Sequence, residues 1–133
     1  MLRYMLDTNI CIYIIKNKPT ELRERFNEGA DELSLSTIAL AELYFGVENS
    51  ARRVQNQQEI NQFIGRLTVL EFSAAAAVHY GQIRVALQRA GRVAGPNDML
   101  IGAHARSEGL VLVTNNTREF QRIPGLQVEN WVS

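Results

Sequence analysis

Leu110-Val111-Leu112-Val113 is an apolar run without polar alternation, the pattern of a strand buried on both faces of a parallel sheet. The rest of the chain alternates in a way that supplies partners for it. Tyr4-Met5-Leu6 reads as a strand that stops at Asp7-Thr8-Asn9 and gives way to an apolar helix over 10–15, with Thr8 or Asn9 placed to cap it. Residues 33–36 alternate with period two like a strand, and 37–47 have the composition of a helix. A further helix is expected over 20–26, capped by Thr20 after Pro19. Over 56–67 the apolar residues Ile60, Phe63, Ile64 and Leu67 form an amphipathic stripe. A short strand is expected at 68–72, then an alanine-rich helix opened by Ser73 and ended by Gly91. Pro96 begins the last long helix, where its missing donor costs nothing, and Gly109 ends it. This order predicts an α/β fold in three layers (α/β/α) around a small, mainly parallel central sheet.

No Pro-, Gly- or Ser-rich linker divides the 133 residues, so residues 1–133 are expected to form one domain. Fourteen Lys and Arg balance fourteen Asp and Glu, so contact with a polyanion must come from a local patch. The single cysteine, Cys11, lies between two isoleucines, which suits a buried thiol in a reducing compartment and excludes an internal disulfide. The amino terminus has no long apolar segment, and no stretch is long enough to span a bilayer. A cytoplasmic protein without membrane contact is expected.

Three carboxylates stand out because each interrupts an apolar stretch: Asp7, Glu42 and Asp98. A charge in such surroundings is costly unless a metal ion or a catalytic role stabilises it. Asp7 ends one predicted strand and Asn116 follows another, which puts both at the carboxyl edge of the sheet, where open α/β folds bind ligands. Asp98 falls in the first turn after Pro96, where the positive end of the helix favours an ionised carboxylate. Glu42 is the one charge between Thr37 and Val47, and no polar stripe accompanies it. Three carboxylates in one cleft repel each other and any phosphate, a conflict that Mg²⁺ or Mn²⁺ removes because both prefer oxygen ligands. Zinc is disfavoured, since one Cys with His79 and His104 gives no ligand set at the usual spacing.

Four blocks carry a family resemblance: MLDTN at 5–9, STIALAEL at 36–43, GPNDMLIGAHA at 95–105 and LVTNNTREF at 112–120. In order and spacing they resemble the motifs of PIN-domain ribonucleases, and the chain is similar from end to end to the VapC toxins of bacterial toxin–antitoxin systems. The resemblance implies a PIN-like fold and a Mg²⁺- or Mn²⁺-dependent endoribonuclease with Asp7, Glu42 and Asp98 as catalytic, metal-holding acids and Asn116 in the fourth position. Many PIN domains have Asp at that fourth place. Asn116 removes one negative charge and puts a second metal ion in doubt. The resemblance further implies a cognate antitoxin, a homodimer and an RNA substrate; similarity to the enteric type suggests the anticodon loop of initiator tRNA.

Around the acids, Thr8, Ser36 and Thr37 are placed to hydrogen-bond them or a nearby water, to cap the helices that start there, or both, and Glu119 is a replacement carboxylate or part of a turn that packs Phe120. Arg84, Arg89, Arg92 and Arg118 are candidates for neutralising RNA phosphates. Rival chemistries fit less well. A phosphatase using Asp7 as nucleophile would want a second acid at Asn9 and a lysine after a later strand, but the lysines are Lys16 and Lys18. Metal-free cleavage by His79 and His104 as acid and base is disfavoured, because the two lie on different predicted helices and His104, six residues past Asp98, falls about 240° round the helix from the acidic face. An inactive regulatory module with the same fold remains the alternative to the enzyme, and retention of all three acids counts against it.

Overall fold

The computed structural model describes residues 1–92 and 94–132. In chain order the elements are β1 (Tyr4–Leu6), α1 (Thr8–Ile15), α2 (Thr20–Gly29), a 3-10 turn (Ala30–Glu32), β2 (Leu33–Ser36), α3 (Thr37–Glu48), α4 (Arg53–Ile64) and β3 (Thr68–Leu70). They continue with α5 (Ala74–Arg89), α6 (Pro96–Glu108), β4 (Val111–Val113), α7 (Thr117–Phe120) and β5 (Val128–Glu129). The strands form one sheet in the order β3-β2-β1-β4-β5, and every pairing is parallel. The expected three-layer α/β/α architecture is therefore observed.

Strand order explains where a site can form. The chain leaves β1 towards β2 and β3, then returns across the sheet to β4 on the other side of β1. Connections that depart in opposite directions from neighbouring strands open a crevice at their carboxyl ends. Leu6 pairs in register with Val113, so Asp7 and Thr114 are the first residues past the sheet at that crevice. The Asp7 N–H still donates to the Val113 carbonyl at 2.9 Å.

The core sits on both faces of these strands. Met5, Leu6, Leu35, Leu112 and Val113 are fully buried, as strands covered on two sides must be. Helices supply Ile10, Ile14, Leu22, Phe26, Ile83, Leu87 and Ile101, and Phe26 stacks on Phe63 with ring centroids 5.1 Å apart. Cys11 is buried as a small apolar residue, and burial raises its thiol pKa far above the usual value. Gly102 lets the segment after α7 approach α6 closely, since a Cβ there would stand 2.5 Å from Ile123 Cδ1. Gly109 ends α6 in the left-handed region, at φ 68°.

Several local expectations are corrected. The cap of α1 is Asp7, not Thr8 or Asn9. Helix α2 continues to Gly29, and Thr20 is its first helical residue rather than its cap. Helix α4 starts at Arg53 and stops at Ile64, leaving Leu67 beyond it, and β3 ends at Leu70. The 3-10 turn, α7 and β5 carry too few residues for a periodic signal.

Candidate active site

Asp7 leaves β1 in extended conformation (φ −72°, ψ 156°) and turns directly into α1. Its two oxygens have separate tasks. Oδ1 accepts the Thr8 N–H at 2.8 Å, capping the helix, and Oδ2 accepts the Thr114 hydroxyl at 2.8 Å across the crevice. The Thr114 hydroxyl oxygen in turn accepts the Asn116 N–H at 2.9 Å, which bends the chain after β4 towards the acids. Burial raises the Asp7 pKa; the Thr114 and Thr8 bonds oppose that rise and the negative charge of Glu42 adds to it. Thr114 is thus a positioning residue to which the sequence assigned no individual role. Its signal is its place: Thr114 follows β4 as Asp7 follows β1.

Glu42 lies in the second turn of α3, half-buried, and its Oε1 accepts the Thr8 hydroxyl at 2.7 Å. Asp98 sits in the first turn of α6, and its pKa is pushed up to about 6. Burial is the largest cause, followed by the charges of Asp7, Glu119 and Glu42. Asp98 therefore senses the charges of the other two predicted acids and of Glu119, which lies on α7. Asn116 precedes α7 without forming a side-chain cap.

Other candidates stand elsewhere. The Ser36 hydroxyl accepts the Ile38 N–H at 3.1 Å, capping α3, and meets His104 Nδ1 at 2.8 Å. Thr37 accepts the Phe72 N–H at 3.2 Å. Both are used to hold α3 in place rather than to touch the acids, so of the three hydroxyls expected there only Thr8 bonds a carboxylate directly. His104 is fully buried against Phe72, with its pKa lowered chiefly by burial. His79 Nδ1 accepts the Arg106 guanidinium at 2.8 Å. The histidine pair is thus committed to packing and to an arginine clamp. Arg84, Arg89, Arg92 and Arg118 are all exposed, Arg84 being held by the Tyr80 hydroxyl at 3.2 Å.

The absence of a polar stripe on α3 has a second cause. Ala39, Leu43 and Val47 face the core, but Phe45 is 71% exposed and Tyr44 is exposed beside it. Apolar residues therefore meet solvent on this helix, the kind of surface that marks contact with another macromolecule.

A hard divalent cation suits the donors, which are all carboxylate or amide oxygens. In the arrangement observed, no three His, Cys, Asp or Glu side chains among the described residues stand close enough to hold an ion. A cation held by all three acids would require them to draw closer than they stand here.

Comparison with known proteins agrees with this geometry. The PIN domain model matches residues 4–126. The chain is 53% identical over 131 residues to the tRNA(fMet)-specific endonuclease VapC of Shigella flexneri, covering 98% of this chain and 99% of that protein. It is 50% identical over 132 residues to Ribonuclease VapC2 of Haemophilus influenzae, with 99% and 100% covered. Among solved structures, a chain of DNA-bound VapBC from Salmonella typhimurium superposes with a TM-score of 0.95 at 51% identity, covering 99% of this chain and 100% of that one. VapBC2 from Rickettsia felis, bound to a promoter DNA fragment, gives 0.93 at 41% identity, with 98% and 100% covered.

Proposed function

The chain belongs to the PIN-domain family, and from that premise we propose that it is a metal-dependent endoribonuclease, the toxin of a toxin–antitoxin pair. The observation that carries this reading is the arrangement at the carboxyl ends of β1 and β4, where Thr8 and Thr114 bond the buried Asp7 and Thr8 also bonds Glu42, while burial and then the charges of Asp7, Glu119 and Glu42 push the Asp98 pKa up. Such crowding has little structural benefit and an evident chemical one.

Asp7, Glu42 and Asp98 would hold Mg²⁺ or Mn²⁺, with Asn116 and Glu119 at the margin. When bound, the cation supplies charge stabilisation at the phosphate and a more acidic water, the requirements of in-line phosphodiester hydrolysis. The chain's own contribution is orientation. Thr114 fixes one Asp7 oxygen, the Thr8 N–H fixes the other, and the Thr8 hydroxyl fixes Glu42. Asp98 would hold the cation in its ionised form, which its pKa of about 6 leaves predominant at neutral pH. The exposed Arg84, Arg89, Arg92 and Arg118 are the candidates for phosphate contact. Hydrolysis by this route leaves a 5′-phosphate and a 3′-hydroxyl.

The name of the Shigella flexneri relative motivates initiator tRNA, cut in its anticodon loop, as the substrate. The VapBC complexes motivate a cognate antitoxin partner. A homodimer acting in the cytoplasm completes the proposal; among the described residues no helix is long and apolar enough to cross a membrane.

The test is expression of Asp7→Ala, Glu42→Ala and Asp98→Ala variants followed by sequencing of cellular RNA ends. Each variant should be folded, non-toxic and without new 5′-phosphate ends, where the unaltered chain produces them at one tRNA position. Undiminished toxicity of a folded single variant would remove that residue from the site, and a chain that cuts no RNA at all would favour an inactive regulatory module.

A further inference from the structure

Between α5 and the segment leading into α6 lies a pocket of about 280 Å³. Its floor is apolar, made by the buried side chains of Leu87, Ala94 and Met99 with Pro96 beside them. Tyr80 forms a wall, and the exposed Arg84 and Arg92 stand at the rim. Arg84 is oriented there by its 3.2 Å bond to the Tyr80 hydroxyl. No carboxylate lines this pocket. The grooves beside α2 and α4, along α3, and near Trp131 and Met1 each include at least one glutamate. On a chain with no net charge, a concavity with two cations and no anion is where a polyanion is held.

We propose that this pocket receives an unstacked nucleobase of the RNA substrate, flanking the phosphate that is cut. The inference rests on the ribonuclease reading above and adds to it a specificity site outside the acidic cleft. A volume near the lower end of small-ligand sites suits one base with its sugar. The Tyr80 ring and apolar floor suit the base faces, Gln88 at the lining offers an amide to a base edge, and Arg84 and Arg92 suit the phosphates on either side. The position also fits. Pro96 and Met99, three residues apart, share one face of α6, and at about 100° per residue Asp98 lies roughly 130° round the helix from the middle of that face, so α6 stands between the pocket and the acids. Pocket and cleft are therefore separated by about one helix width, roughly 10 Å, so the bound base belongs to a neighbour of the cleaved linkage.

The experiment uses the full chain and a hairpin RNA, intact or with an abasic nucleotide at successive loop positions. Binding is read by fluorescence anisotropy in chelator over a range of salt, and cleavage is read with Mg²⁺. Arg84→Ala and Arg92→Ala should each reduce the slope of log affinity against log salt by about 0.7, and should raise KM more than they lower kcat. Tyr80→Ala should weaken binding roughly tenfold, whereas Tyr80→Trp should retain it. One abasic position should weaken binding to the unaltered chain and leave Tyr80→Ala unaffected. If the unaltered chain cleaves while these variants bind with unchanged affinity and slope, the pocket assignment is overturned and the ribonuclease reading stands. If binding depends on Tyr80 and the arginines but nothing is cleaved, the pocket stands and the ribonuclease reading fails. Loss of binding that tracks dissociation of a dimer in sedimentation would assign this face to a second copy and overturn the proposal.

Discussion

Thr8 Oγ1 donates to Glu42 Oε1 at 2.7 Å while the Thr8 N–H donates to Asp7 Oδ1 at 2.8 Å, so one residue orients two of the three acids. Partners that orient metal-binding side chains commonly matter by about 10- to 100-fold in affinity or activity. Thr8→Val, which keeps the shape and loses the hydroxyl, should therefore cut single-turnover RNA cleavage within that range and raise the Mg²⁺ concentration needed for half-maximal rate. Thr8→Ser should restore both. An unchanged Mg²⁺ curve for Thr8→Val would show that Glu42 needs no such support.

Asp98 links the cleft to stability. Its folded-state pKa, about 6, lies above the ordinary 3.8, so the folded chain holds this proton more tightly than the unfolded chain does. The associated stability is present in full below the unfolded value and is lost as pH rises from near 3.8 through about 6. Asp7 is shifted in the same direction. In chelator, the protein should thus melt lower at neutral pH than at pH 5 on account of this cleft, and Asp98→Asn should remove part of the difference. With allowance for solvent screening, the gain at neutral pH is on the order of 1 kcal/mol, or roughly 3 to 5 °C in Tm. Thermal melts of both proteins across pH check it; a lower Tm for Asp98→Asn at neutral pH would contradict the sign.

Cleavage should vanish in excess chelator and return with Mg²⁺ or Mn²⁺ but not with Ca²⁺. The larger Ca²⁺ accepts more ligands in looser geometry, whereas hydrolysis needs water and phosphate held in line. Because a cation must displace the Asp98 proton, the Mg²⁺ requirement should climb as pH falls below about 6. Rates measured against Mg²⁺ at several pH values test both parts. Full activity in chelator would remove the cation from the mechanism.

The sequence shows the strands and long helices where burial imposes a period on it. Residues 33–36 and the Pro96-to-Gly109 helix are legible for that reason, and the two ends of the latter are marked by residues with specific backbone conformations. The pattern around Asp7 marks it as a ligand candidate and its neighbours as caps, yet its two oxygens allow one to cap α1 while the other faces Thr114. Strand β5 spans two residues, and its order comes from pairing with β4, with the segment beyond it fixed by Trp131 against Tyr4 and Arg25. Such partners are distant in sequence and leave no local signal. The exposed Phe45 was illegible for a different reason: periodicity marks burial within the chain, and Phe45 is 71% exposed.

Helix α3 offers a test of how the partner docks. A groove of about 300 Å³ runs along it past Ile12, Leu43, Gly46, Val47 and Ile60, with Glu42 among its walls. We expect an antitoxin segment to press apolar side chains into this groove and to place an arginine against the acids, since a guanidinium can pair with two carboxylates at once and compete with the cation. Gly46 separates docking from folding. A Cβ at Gly46 would meet nothing within 4 Å, so Gly46→Ala should leave the fold intact and add about 0.5 to 1 kcal/mol of helix stability. Gly46→Phe should keep RNA cleavage but obstruct the groove, leaving cells that co-express antitoxin unprotected. Asp98→Asn should abolish cleavage and also weaken the complex, because one partner of the arginine has lost its charge. Titration of purified antitoxin against each variant measures both effects. Full-affinity binding to Gly46→Phe and Asp98→Asn alike would place the antitoxin on another face and leave the acids open to metal in the complex.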